Sequence, residues 1–327
     1  LESKSNSQLT VSGWIGHSFF LDRQGRAYSC GLNDNGQLGL SDRDSRFIPK
    51  IIRTNGLIDK IMTISTGENT SLLTDSQGQV WSCGKKMGSQ YIGPDWDMDF
   101  YTLHFMEGIN SRIIDLAAGD KGSLLLDSKG RVFLLDNERT YYSEDGQLNP
   151  LEGISDIIAV AMGEGQSFLL EGYSAAVSPP EPVVLNSQGQ VYGLQPGYGT
   201  PVIQKIIVTP YPIPIPGDFP IVAISAGYGH ALFLNSQGKV FLLGCSLYNQ
   251  KELGIPSQYQ TPILVKKGLG GIPIIAISAG NHHDLLLDAQ WLGATSPVGD
   301  KDKFLPLVKV TPGDWDSEMN DLDIFRL

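Results

Sequence analysis

Five histidines, three cysteines and 35 carboxylates are the residues of this chain that could do chemistry. Three of the histidines, His17, His230 and His283, stand at one recurrent step: a small residue, a Gly, two variable residues, then His, with one extra residue before His17. His282 is an addition to that pattern, and Asp284 follows the pair. Imidazole beside carboxylate suits general acid–base chemistry or a metal centre. Adjacent His282 and His283 on a strand would point to opposite faces, which is poor chelation, so no metal is expected. The recurrent histidines read as structural, a ring nitrogen bonding backbone in a neighbouring unit. Carboxylates recur too: Glu68, Asp120 and Glu164 share one loop position in three successive copies. As solvated turn residues they would do nothing in particular; as a set, their summed field favours a basic partner loop. Cys30 and Cys83 share a position and read as buried small apolar residues, with Cys245 one step later. No Gly-x-Ser-x-Gly elbow, phosphate loop or His-Glu-x-x-His stretch occurs, so neither a cofactor nor catalytic chemistry is expected.

These residues sit on a repeated element. Each copy has a Gly-led loop, an apolar run, a polar turn ending in Gly, and a second apolar run. Residues 66–84 show it whole: Thr66-Gly67-Glu68-Asn69-Thr70 leads to Asp75-Ser76-Gln77-Gly78 and then Val80-Trp81-Ser82-Cys83-Gly84. Asp can bond its own backbone two residues on, and Gly accepts positive φ, so the turn predicts a hairpin. A looser half follows, with turn chemistry at Asn33-Asp34-Asn35-Gly36 and Pro-led strands at Pro49, Pro262 and Pro306. The histidine-equivalent positions are 17, 70, 122, 166, 230 and 283. A period near 50 is too long for leucine-rich or ankyrin repeats and fits a propeller blade of about four strands. The expected fold is all-β, a β-propeller of six blades with seven left open, one domain over residues 1–327. Closure is expected from pairing of an N-terminal strand (8–11) with a C-terminal one (305–310), leaving a loose tail at 311–327.

Composition agrees. Gly and Pro are abundant (38 and 19), and 41% of residues are apolar, enough for a sizeable core. The net charge of −11 opposes phosphate backbones, so no nucleic-acid partner is expected. No apolar run approaches the roughly 20 residues of a membrane span. Two stretches break the repeat. Residues 172–182 interrupt the fourth copy; they are either a functional loop or a tolerated surface insertion. Residues 209–217, with alternating prolines, read as a stiff extended segment, a spacer more than a ligand.

The copies at 12–40 and 226–254 resemble the regulator-of-chromosome-condensation repeat, A-G-x-x-H-[ST]-x-x-L-x-x-x-G-x-V-[YFW]-x-[WC]-G-x-N-x-x-G-Q-L-G, and the resemblance spans about residues 8–310. It implies a β-propeller and a role in interaction. The family includes the exchange factor for the small GTPase Ran, bacterial effectors proposed to act on host GTPases, a secreted inhibitor, and docking domains of larger proteins. Its exchange factor uses loops on one face beside the Gly-x-x-His step, and an inserted β-wedge. Carried onto this sequence, that implies partner binding by Glu68, Asn69, Asp120, Lys121, Glu164, Tyr228, Asn281, His282 and Asp284. Tyr173 and Glu181 of the insertion stand where a wedge would be. The implied partner is a protein, a small GTPase of the Ran or Rab type, met by a monomer in the cytoplasm or in a host cytosol. The other readings are a scaffold or inhibitor, and a carbohydrate-active enzyme with Trp14, Trp81 and Trp291 in a cleft. Trp81 falls at a repeat strand position and reads as core.

Overall fold

The computed structural model describes residues 10–13, 16–22, 24–54, 56, 58–85, 100–119, 122–136, 147–163, 183–196, 208–227, 230–244, 261–265, 273–279, 284–288 and 307–310. They form six antiparallel sheets and, among the described residues, no helix. The first sheet runs β1 (Thr10–Gly13), β2 (His17–Leu21), β3 (Ala27–Gly31), β4 (Arg46–Ile51). The second is β5 (Ile61–Thr66), β6 (Thr70–Asp75), β7 (Val80–Gly84), β8 (Phe100–Phe105), and the third β9 (Ile113–Ala118), β10 (Gly122–Asp127), β11 (Val132–Asp136). The fourth is β12 (Ile157–Ala161), β13 (Val183–Asn186), β14 (Val191–Pro196), β15 (Val208–Pro212). The fifth is β16 (Ile221–Ala226), β17 (His230–Asn235), β18 (Val240–Gly244), β19 (Ile263–Leu264), and the sixth β20 (Ile274–Ala279), β21 (Asp284–Asp288), β22 (Leu307–Val310). Every sheet is a meander in which sequence neighbours pair.

The predicted turns make the hairpins. In five sheets an Asp or Asn side chain accepts from the backbone N–H groups two and four residues on. Asp22, Asp75, Asp127, Asn186 and Asn235 all do so, at 2.9–3.0 Å. The Gly that ends each turn also reaches the next sheet. The carbonyls of Gly25, Gly78, Gly130, Gly189 and Gly238 accept from the N–H of Ile61, Ile113, Ile157, Ile221 and Ile274, the first residues of β5, β9, β12, β16 and β20. Residue two of each of those strands is skipped in the pairing register, so Met62, Ile114, Ile158, Val222 and Ile275 are the extra residues of β-bulges. All five are exposed.

Five apolar clusters fill the five gaps between consecutive sheets. Phe19, Leu21 and Ala27 of the first sheet meet Leu73, Trp81 and Cys83 of the second, and Leu72 and Val80 on the second's other face meet Leu125 and Phe133 of the third. Both faces of each inner strand are thus covered, which is why β6, β7, β10, β17 and β18 are buried at every position. Each fully buried Leu or Phe contributes about 1.5–3 kcal/mol to the fold.

Three expectations differ from the structure. Among the described residues the terminal strands do not pair with each other: β1 pairs with β2 and β22 with β21, each with its own sequence neighbour. Residues 208–212 are not a spacer but the edge strand β15. Ile213 N–H donates to Val191, so by alternation Pro210, Pro212 and Pro214 face away from the ladder, where a missing N–H loses nothing. Cys30, expected to be buried like Cys83, is half-buried, with Ser18, Phe20 and Tyr28, on the face of the first sheet turned away from the second.

Candidate protein-interaction site

The first strand of every sheet borders one cavity of about 330 Å³. Ser12, Thr66, Ala118, Ala161, Ala226 and Ala279 all line it, each from a different sheet. Small residues recur here because neighbouring backbones come close. A Cβ on Gly67 would stand 2.4 Å from the Gly119 carbonyl oxygen, and one on Gly119 2.5 Å from that of Gly163. Serines tie some of these strands together. Ser12 Oγ accepts from Thr66 N–H at 3.0 Å, Ser65 Oγ from Ala118 N–H at 2.9 Å, and Ser225 Oγ from Ala279 N–H at 2.8 Å. The third and fourth sheets carry Ala117 and Ala161 at the position of Ser65.

The Gly-x-x loops leave the first strands directly after these lining residues, Gly67 after Thr66 and Gly119 after Ala118. The described one, at Glu68 and Asn69, therefore opens at one mouth of the cavity. Of the residues expected there, Glu68 and Asn69 are described, and both are half-buried. Asn69 is a clamp: its Oδ1 accepts from Asn35 Nδ2 at 3.1 Å, across to the first sheet, and its carbonyl accepts from Lys85 N–H at 2.8 Å. Asp284 is the first residue of β21, opposite Ala279. Asp120, Lys121, Glu164, Tyr173, Glu181, Tyr228, Asn281 and His282 lie outside the described residues, as do the insertion 172–182, Trp14 and Trp291.

At His17 the histidine step is structural. His17 is 1% exposed, and its Nε2 meets Ser71 Oγ of the second sheet at 2.8 Å. Ser71 gives its own proton to the Gln37 carbonyl at 2.9 Å, so Nε2 must carry the imidazole proton. The acceptor is a hydroxyl and not the backbone that was expected. Burial pushes the His17 pKa down from 6.5 to about 4. His230 is buried at the same step. Trp81 is core: it is 8% exposed, donates from Nε1 to Asp75 at 3.1 Å and lies against Phe105. Burial likewise pushes the Cys83 thiol up to about 12, far from a reactive thiolate. Among the described residues no group of three or more His, Cys, Asp or Glu is placed to hold a metal. Among the described residues no helix is long and apolar enough to cross a membrane.

Sequence reasoning missed the polar platform under these loops. Asn33 holds the turn that follows β3: its Oδ1 accepts from Leu38 N–H at 2.9 Å and its Nδ2 donates to the Asp42 carbonyl at 2.8 Å. The turn's Gln37 carbonyl receives both Ser71 and Cys83 of the second sheet. Its signal was in the sequence, as a fully polar Asn33-Asp34-Asn35 whose first member turns out to be wholly buried.

Comparison with known proteins agrees with this architecture. Residues 24–73 and 10–37 match descriptions of the regulator of chromosome condensation (RCC1) repeat. The human protein named probable E3 ubiquitin-protein ligase HERC6 is 27% identical over 281 residues, 82% of this chain and 26% of that protein. Mouse secretion-regulating guanine nucleotide exchange factor is 24% identical over 278 residues, 78% of this chain and 56% of that one. The chain thus spans about a quarter of the first relative's length and just over half of the second's. Among solved structures, Prp20p from Saccharomyces cerevisiae superposes with a TM-score of 0.64 at 18% identity, covering 86% of this chain and 70% of that one. Human WBSCR16 gives 0.62 at 20% identity, covering 86% and 72%. The repeated hairpins, the sheets set round one cavity and these likenesses lead to the same place: residues 10–73 match the RCC1 repeat, and the all-β fold of antiparallel sheets is similar to that of RCC1-type proteins.

Proposed function

We propose that this chain is a protein-binding propeller, six sheets closed into a ring, that engages a small GTPase of the Ran or Rab type as an exchange factor or related regulator. The observation that carries the reading is the cavity bordered by the first strands of all six sheets, with Glu68 and Asn69 following directly on the lining of the second. One relative is named a guanine nucleotide exchange factor, and Prp20p is described by its binding to Gsp1p and histones. An exchange factor needs no covalent chemistry. It binds the nucleotide-free GTPase more tightly than the loaded one, and that difference in affinity expels the nucleotide. In this reading Glu68, Asp120, Glu164 and Asp284 dock basic loops, with Asn69, Lys121, Tyr228, Asn281 and His282 beside them. Tyr173 and Glu181 belong to the wedge, and the propeller acts as a monomer in the cytosol.

The test is nucleotide release from Ran and Rab proteins loaded with a fluorescent guanine nucleotide. Accelerated release, slowed again by Glu68→Lys, supports the reading; release rates unaltered across the panel remove it. A second reading, a docking domain or inhibitor without effect on nucleotide, draws on the 26% of HERC6 that the chain spans. Stable co-purification of one partner, with no change in any release rate, would decide for it.

A further inference from the structure

The outer edge of the first sheet carries a surface that the repeat does not need. In β4, Phe47 is 99% exposed, Ile48 71% and Ile51 44%. Ser29 pairs with Lys50 and Gly31 with Arg46, so Phe47, Ile48 and Pro49 together stand opposite Cys30 and swing out of the ladder. A bare Phe adds nothing to the fold and favours association. Four cations, Arg43, Arg46, Lys50 and Arg53, lie within the same stretch of a molecule whose net charge is −11. Two of them are engaged. Arg46 pairs with Asp42 at 2.6 Å, and Arg43 lies over the Tyr101 ring and bonds its hydroxyl. Lys50 and Arg53 are exposed and form no ion pair among the described residues.

We propose that this edge docks an acidic segment of a partner protein bearing a large apolar side chain. Phe47 and Ile48 pack on that side chain, and Lys50 and Arg53 receive the flanking carboxylates. The mode is side-chain docking and not strand addition. Ile52 N–H donates to the Ala27 carbonyl, so by alternation Lys50 also faces β3 and Pro49 faces outward, where it has no N–H to offer a new strand. The local charge is complementary to an acidic peptide, whereas the charge of the whole molecule repels the broad anionic surfaces of nucleic acids and membranes. This inference is independent of any GTPase.

The probe is a short fluorescent peptide of alternating Glu and Leu, followed by anisotropy on the full chain. Saturable binding is expected. It should weaken roughly tenfold when salt rises from about 0.05 to about 0.5 M. Loss of a similar size is expected in Phe47→Ser/Ile48→Thr and in Lys50→Glu/Arg53→Glu. All four residues are exposed, and an unchanged melting curve will show that the variants fold. Ile158→Thr, an exposed aliphatic on another sheet, should leave binding unchanged. Absent binding, or binding indifferent to both double variants, overturns the proposal. So does binding of phosphatidylserine vesicles without binding of the peptide, or a self-association abolished by Phe47→Ser/Ile48→Thr, which would make the occupant a second copy.

Discussion

At the scale of single residues, His17 shows how a repeat position becomes a stability determinant. Its Nε2 proton is committed to Ser71, and its Nδ1 is buried with no partner among the described residues. A second proton on Nδ1 would be a buried charge without an acceptor, and burial accordingly lowers the pKa from 6.5 to about 4. Between those values the unfolded chain binds a proton that the folded chain refuses. Stability from this group is therefore complete above about pH 6.5 and is lost as pH falls toward 4, by about 3 kcal/mol in all. In His17→Gln the difference from wild type in urea midpoint should shrink progressively from pH 7 to pH 4.5. A constant difference would show that the imidazole is not protonated on unfolding. Asp127 gives a contrasting case. Burial alone would raise its pKa, but the N–H groups of Arg131 and Lys129 and the Arg131 guanidinium outweigh burial and hold it low. Only Oδ1 is needed for the turn, since Asn186 and Asn235 make the same two bonds. Asp127→Asn should thus lose only the ion pair, about 0.2–1 kcal/mol since the Arg131 side chain is 43% exposed and solvent screens it. Asp127→Ala, which also orphans two N–H groups, should lose about 1–3 kcal/mol more. Equal losses in thermal unfolding would refute this division.

At the scale of the element, the hairpins were legible because the Asp-x-x-Gly turn has a local mechanism that acts wherever it stands. The first strands were not. Ile61-Met62, Ile113-Ile114, Ile157-Ile158, Ile221-Val222 and Ile274-Ile275 put two aliphatics side by side, which breaks the alternation of a half-buried strand. The ladder resolves the conflict: the first member is buried and bonded to the previous sheet's turn, and the second bulges out. The paired aliphatics were the available signal, and five copies of them would have predicted five bulges. The proline-rich strand was misread for a different reason. Alternating Pro satisfies a polyproline helix and an outward-facing sheet edge equally well, and only a partner strand decides between them. The contact between sheets depends on the strand ends as well. Gly119→Ala places a Cβ 2.5 Å from the Gly163 carbonyl oxygen, a backbone atom that a rotamer change cannot move. The third and fourth sheets must part slightly there, at about 1–3 kcal/mol. Urea denaturation of the variant measures this, and wild-type stability would mean that the two strands do not touch at Gly119.

At the scale of the whole molecule, the fold was readable from its period, whereas the site was readable only in outline. Loop position follows from the repeat, but the partner of a loop depends on shape and charge gathered from several copies at once. Glu68 is half-buried at the cavity mouth, and its partnered neighbour Asn69 is part of the scaffold and only secondarily a contact. Charge is thus the better lever on function. A molecule of net −11 that meets a basic GTPase surface should be steered to it, and steering acts on association far more than on dissociation. If the proposed GTPase is the partner, its association rate is expected to fall several-fold between about 0.05 and about 0.5 M salt, while dissociation barely moves. Glu68→Lys should slow association at low salt and flatten its salt dependence. Lys50→Glu/Arg53→Glu adds negative charge at the far edge of the first sheet. It should leave GTPase association unchanged or slightly faster, while abolishing binding of the acidic peptide. Stopped-flow association of both probes with the two variants separates the surfaces. If Lys50→Glu/Arg53→Glu slowed the GTPase and Glu68→Lys did not, the basic edge and not the loop face would be the docking site.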